Sequence, residues 1–157
     1  MRNKFLSLGL IVLSISSVSA YAEVITKETI PAPVLDQFYK KHPNALDVIA
    51  EKKTHFKQGL IQISYKEEKD KEVFIELYRT NGKIFVSADD VTASNVMPAV
   101  ALDNLKAAFN KYSIKKTILV PNPNGVGEDY DLIVNAAGVD WSVVIDYKGN
   151  IIQKVHN

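Results

Sequence analysis

The residues able to carry chemistry are few. Histidine stands at 42, 55 and 156, and none lies three or four positions from another, so no helical pair of imidazoles exists to hold zinc. His42 falls at an expected helix C-terminus, where a partial positive charge suits the dipole. His55 falls in an extended charged stretch, and both read as surface residues. The chain has no cysteine, hence no thiolate nucleophile and no disulfide. No G-x-S-x-G, phosphate-loop or dinucleotide glycine pattern occurs, and Gly125-Val126-Gly127 follows prolines in a turn and opens no helix. Glu128, Asp129 and Asp131 form an acidic cluster that offers oxygen ligands to a cation such as calcium, although the loop with a terminal Glu that calcium motifs require is missing. The competing reading is a solvated strand edge, and Asp89-Asp90 stands the same way. With no nucleophile beside a base and no carboxylates on facing elements, the sequence predicts neither an enzyme nor a cofactor.

The elements that must position any site are repeated. The segment FIELYRTNGKI, Phe74 to Ile84, returns sixty-seven positions later as WSVVIDYKGNI, Trp141 to Ile151. With the same offset Pro31, Ala32, Leu35 and Asp36 fall on Pro98, Ala99, Leu102 and Asp103. In the first copy Pro33 to Lys41 carries Val34, Leu35 and Phe38 at helical spacing, with proline tolerated in the first turn and His42-Pro43 closing the helix. Val24 to Ile30 reads as a lead-in strand and Ala45 to Phe56 as extended. Leu60 to Lys66 alternates as a half-buried strand, a charged tip follows, and Val73 to Arg79 meets Lys83 to Ser87 through Asn81-Gly82, the strongest short hairpin signal. In the second copy Pro98 to Lys111 is an amphipathic helix, followed by strands around Thr117 to Val120, Tyr130 to Val134, Trp141 to Ile145 and Ile151 to Val155. The expected fold is α+β: two tandem units, 23–88 and 97–157, joined by a linker at 89–96. Each is a helix followed by an antiparallel meander of about four strands, the sheets joined or side by side with the helices on one face.

One stretch conflicts with its copy. Trp141, Val143 and Ile145 read as an inward face, but the matching residues are Phe74, Glu76 and Tyr78, and an unpaired buried Glu76 is costly. Either Val73, Ile75 and Leu77 lie on the face away from the helix as an exposed apolar stripe awaiting a partner, or a one-residue slip swaps the faces and puts them in the core. On the first reading Val73, Phe74, Ile75, Glu76, Leu77 and Tyr78 are the partner-binding residues. The strand aromatics Tyr65, Phe74, Tyr78, Phe85, Trp141 and Tyr147 serve equally as core and as interface anchors.

Composition bounds the partners. Residues 1–22 read as a secretory signal peptide, with Arg2 and Lys4 before an apolar run and Ala20-Tyr21-Ala22 as a cleavage site. No lipid-attachment cysteine follows, so the expected location is the periplasm or the extracellular medium. Nor does a second long apolar run follow, so no integral membrane segment is expected once the signal is removed. Removing Arg2 and Lys4 takes the formal charge from +1 to −1, a balance that gives no footing for nucleic acid. About 135 residues remain, enough for a real core.

The motifs Ile30-Pro31 through Leu35 and Phe38, His42-Pro43-Asn44-Ala45, Asn81-Gly82-Lys83-Ile84 and the hairpin Trp141 to Ile151 together resemble the PepSY-like modules of exported bacterial proteins, whose fold is shared by the tandem β-lactamase inhibitory proteins. The resemblance covers nearly all of the mature chain and departs after the second helix, where Asn110-Lys111-Tyr112 stands in place of a proline-containing turn. It implies binding of a protein or peptide partner, with inhibition or regulation of that partner as the outcome, and no cofactor. The alternative expectation is a periplasmic sensor of a small ligand or cation at the acidic cluster.

Overall fold

The computed structural model describes residues 24–25 and 29–156; the expected signal peptide lies outside the described residues. Nine strands, β1 (Val24–Ile25), β2 (Leu46–His55), β3 (Gln58–Lys66), β4 (Phe74–Tyr78), β5 (Ile84–Asp90), β6 (Tyr112–Pro121), β7 (Glu128–Ala136), β8 (Val139–Ile145) and β9 (Ile151–His156), form one antiparallel sheet in chain order. Two helices interrupt it, α1 (Ala32–Lys41) after β1 and α2 (Ala99–Ala108) after β5. Among the described residues no helix is long and apolar enough to cross a membrane.

Each helix forms for local reasons. Pro31 and Pro98 sit at the N-caps, where a missing N–H costs nothing. Val34 and Phe38 in α1, and Ala101 and Leu105 in α2, are four apart and buried, so each helix is pinned by one stripe. Burial of Phe38 alone is worth roughly 1.5–3 kcal/mol. The last turns close alike, with the N–H of His42 donating to Phe38 O and that of Phe109 to Leu105 O, both at 2.8 Å.

Both helices cover the same face of the sheet. Beneath α1 lie Ile61, Ile63, Tyr65 and Tyr78; beneath α2 lie Tyr130, Leu132, Val134, Val143 and Ile145. On the opposite face Leu60, Ile75, Leu77, Phe85, Ala88, Ile118 and Val120 form a third cluster. That face is closed by curvature. Lys53 Nζ on β2 lies 2.9 Å from Asp131 Oδ2 on β7, although a flat sheet would hold strands five places apart at roughly 24 Å. Twist accumulates in one hand, and here it rolls the sheet into an open half-barrel with the helices outside.

This corrects the expectation of an α+β protein made of two tandem helix-plus-four-strand units. Among the described residues the molecule is mostly sheet, with two helices of ten residues each, and its sheet reaches into the first residues of the expected linker. β5 continues to Asp89 and Asp90, which pair with Leu119 and Ile118 of β6, and Val91 N donates to Thr117 O. The physical reason is the third cluster. β3 to β5 would expose Leu60, Ile75 and Leu77 if they stood alone, and the curled continuation through β6 and β7 buries them. The sixty-seven-residue spacing therefore marks a repetition inside one sheet.

Candidate functional site

β4 carries the conflicting stretch, and the structure resolves it in a third way. Its register against β3, Ile61↔Tyr78, Ile63↔Glu76 and Tyr65↔Phe74, puts Phe74, Glu76 and Tyr78 on the helix face with no slip. Ile75 and Leu77 face away from the helix but are 2% and 0% exposed, covered by the curl of the sheet. Only Val73 of the expected stripe is exposed. Ile75 and Leu77 are thus core, and no exposed stripe of the three residues is formed.

Glu76 is buried beneath α1 and is not unpaired. Its Oε1 accepts from Lys41 Nζ at 2.5 Å, and its Oε2 accepts from the Tyr78 hydroxyl. His42 completes the cluster: Nε2 lies 3.3 Å from Glu76 Oε2 and 3.0 Å from the Tyr65 hydroxyl, and Nδ1 lies 3.2 Å from Glu67 Oε1. A neutral ring donating to Glu67 accepts the Tyr65 proton at Nε2; a protonated ring donates to both carboxylates. His42 is therefore at the helix C-terminus as expected, but turned inward rather than outward.

The electrostatics fix these groups as they stand. Burial would raise the Glu76 carboxyl, but the hydrogen bonds from Lys41 and Tyr78 and the charges of Lys41 and His42 outweigh it and hold it below the usual range. Burial, the Glu76 hydrogen bond and its charge push the Tyr78 phenol well up. Burial and the charges of Glu76 and Glu67 do the same to Tyr65. Lys41 spends one of its three N–H donors on Glu76, on a side chain that is 56% exposed.

Lys41 lines a groove of about 790 Å³ between the last turns of α1 and the β4–β5 turn, together with Gln37, Lys40, Tyr78, Asn81, Gly82, Lys83 and Ile84. Its width is set by Gly82, at φ +85°, where an added Cβ would lie 2.3 Å from Pro33 O. Lysines stand on both banks, Ile84 supplies exposed apolar surface above the buried Tyr78, and no acid lines it.

The ground beneath α2 provides an internal control. Gly149 packs on Ala101 N as Gly82 packs on Pro33 O. The residues in the places of Lys41, His42, Glu76 and Tyr78 are Ala108, Phe109, Val143 and Ile145, and Val134 pairs with Trp141 as Tyr65 pairs with Phe74. All are apolar and packed. The gap is also bridged there, for Asn104 Nδ2 donates to Gly149 O at 2.8 Å, while Gln37 at the matching place lines the open groove.

The acidic cluster does not converge. Asp129 and Asp131 are buried on the inner face, Asp129 accepting from Phe56 N at 3.1 Å and Asp131 paired with Lys53. Glu128 lies on the other face and accepts the Tyr130 hydroxyl. Among the described residues no group of three acids and histidines is placed to hold a metal ion. His55, expected at the surface, is fully buried with Nδ1 3.6 Å from Asp129 Oδ2. Lys41, Tyr65 and Lys83 were not singled out by the sequence as site residues; the offset that exposed Glu76 against Val143 also sets Lys41 against Ala108 and His42 against Phe109, and that signal was there to be used.

No protein-family model matches the chain, and no curated protein matches it either.

Proposed function

We propose that this is an exported, non-enzymatic binding protein that recognises a protein or peptide partner beyond the cytoplasmic membrane through the groove between α1 and the β4–β5 turn. The observation that carries the reading is the contrast between the two helices. Ordinary apolar packing suffices beneath α2, so the buried acid and its partners beneath α1 are not a requirement of the scaffold, and they sit directly under an open groove. Glu76 is held low and Tyr65 and Tyr78 high, so these three keep one protonation state near neutral pH and serve as fixed hydrogen-bond partners. Inhibition or regulation of the partner is the role that fits export and the absence of a nucleophile pattern.

The test uses the lysines themselves. Native extracts are treated with a lysine-reactive crosslinker and the linked peptides are mapped by mass spectrometry. The expected result is partner peptides joined to Lys40, Lys41 or Lys83, lost when His42→Phe, Tyr65→Phe, Glu76→Leu and Tyr78→Phe are combined in a chain that still folds. Partner peptides joined only to the α2 half, or to none of the chain, would overturn the reading.

A further inference from the structure

The occupant of the groove can be given a chemical class, an inference that rests on the binding reading above. We propose that the groove takes an acidic peptide segment, one that sets a carboxylate between Lys41 and Lys83 and an apolar side chain against Ile84. Lys40 and Lys41 lie in the last turn of α1, where any helix favours cations, so they alone would signify little. Lys83 has no such excuse. It stands on the opposite bank, at the foot of β5, where no helix dipole calls for a charge. Acids that would neutralise the lining are absent from it, and Glu76, paired with Lys41, is buried.

The matching surface at α2 again decides between scaffold and site. In the places of Lys40, Lys41 and Lys83 it has Ala107, Ala108 and Asn150, and Asn104 ties helix to turn across what is open groove at α1. Among the matching places the second half gains one lysine, Lys148 in the place of Asn81, so among the described residues it is at α1 that three lysines and an open groove coincide. A groove of about 790 Å³ is far larger than a single small anion needs. Exposed Ile84 on the same floor favours an occupant that is apolar as well as acidic. Gln37 and Asn81 line the groove with side-chain amides, the Asn81 Oδ1 already accepting from Lys83 N.

The experiment is a fluorescence anisotropy titration of the full chain with three labelled peptides of one design, phenylalanine alternating with Glu, with Gln or with Lys. The Glu peptide is expected to bind at least about tenfold more tightly than the Gln peptide and the Lys peptide not at all, with affinity falling as salt is raised. Lys83→Glu and Lys40→Glu, both exposed and outside the buried cluster, are each expected to weaken it by about tenfold with the unfolding midpoint unchanged. Equal binding of the Glu and Gln peptides overturns the acidic class. Loss of the complex to sulfate at matched ionic strength, with sodium chloride inert, overturns the peptide in favour of a small anion only. No binding of any peptide while partner crosslinks to these lysines persist overturns this inference and leaves the binding function standing; loss of the crosslinks as well removes both.

Discussion

The Glu76 carboxylate stands beneath α1 in the place that Val143 takes beneath α2. One sequence thus contains both solutions to the same packing problem, and the difference can be measured. Tyr78→Phe or Lys41→Ala alone leaves the buried acid short of a partner and is expected to lower unfolding free energy by about 1–3 kcal/mol. The combination His42→Phe, Tyr65→Phe, Glu76→Leu and Tyr78→Phe keeps the rings and removes the buried polar groups at once, leaving the exposed Lys41 and Glu67 to solvent, and is expected to fall within about 1 kcal/mol of the parent. Urea unfolding of the set gives the comparison. A combined loss equal to the sum of single losses would mean that the cluster is structural after all.

Acid is expected to act on the same residue. The folded-state pKa of Glu76 lies below its ordinary 4.5, so the unfolded chain binds the proton more readily than the folded one. The contribution is complete above 4.5 and is lost as pH falls through the folded value. Asp140, held low by Asn135 and Lys115, and Asp146, held low against burial by Asn150 and Lys148, slope the same way. Unfolding free energies of the parent and Glu76→Gln are therefore expected to converge as pH drops below 4.5, a convergence absent between the parent and Lys106→Gln.

Alkali reads the tyrosines. Tyr130 is pushed up to about 12 by burial and by the hydrogen bond and charge of Glu128, and Tyr65 and Tyr78 are raised further by burial and Glu76. A raised folded pKa gives stability that is full below the ordinary value of 10 and lost as pH rises. Absorbance titration is expected to show these three silent through the ordinary phenol range, with Tyr65 and Tyr78 ionising in step with unfolding. Glu76→Gln is expected to advance Tyr78 and leave Tyr130 in place.

Local features were readable in the chain, because they depend on neighbours. Val34 and Phe38 announced α1, and Asn81-Gly82 announced the β4–β5 turn, which closes with Gly82 N donating to Arg79 O. The face to which Glu76 belongs stayed open, because alternation alone does not exclude a one-residue slip that swaps the faces. What covers each face was not readable either. Alternation sorts Ile75 and Leu77 away from Glu76 but carries no information on whether the sheet beyond them is flat or rolled, and the roll rests on Lys53 meeting Asp131 across four intervening strands. The groove was hidden for a related reason: Lys40 and Lys83 come together only when the turn packs on the helix, through a contact between Gly82 and Pro33.

The clasp inside the half-barrel carries its own expectation. Burial would lower the Lys53 ammonium, but Asp131 and Glu51 raise it above its ordinary value, so it stays charged in the interior. Asp131→Ala strands that charge and is expected to cost about 3–5 kcal/mol, whereas Lys53→Met with Asp131→Leu removes both charges and is expected to cost little. Urea unfolding checks the pair, and binding of a hydrophobic dye reports whether the third cluster opens. Calcium is expected to leave the thermal midpoint unchanged, because Asp131 is already occupied by Lys53 and Glu128 lies on the other face.

Gly82 and Gly149 separate folding from binding. Each has φ near +85° and each presses on the first turn of a helix, with an added Cβ at 2.3 Å from Pro33 O and 2.8 Å from Ala101 N. Both contacts are to backbone, which cannot step aside without moving the helix, and positive φ adds about 1–2 kcal/mol for any residue with a Cβ. Gly82→Ala and Gly149→Ala are therefore expected to lower the unfolding midpoint together, while Gly59→Ala, whose Cβ meets nothing within 4 Å, leaves it near the parent value. Only Gly82 lines the groove. If the groove is the recognition surface, Gly82→Ala moves Lys83 away from Lys41 and is expected to lose partner crosslinks at a temperature where it remains folded, with Gly149→Ala retaining them at equal stability. Equal retention by both variants would place recognition elsewhere on the sheet.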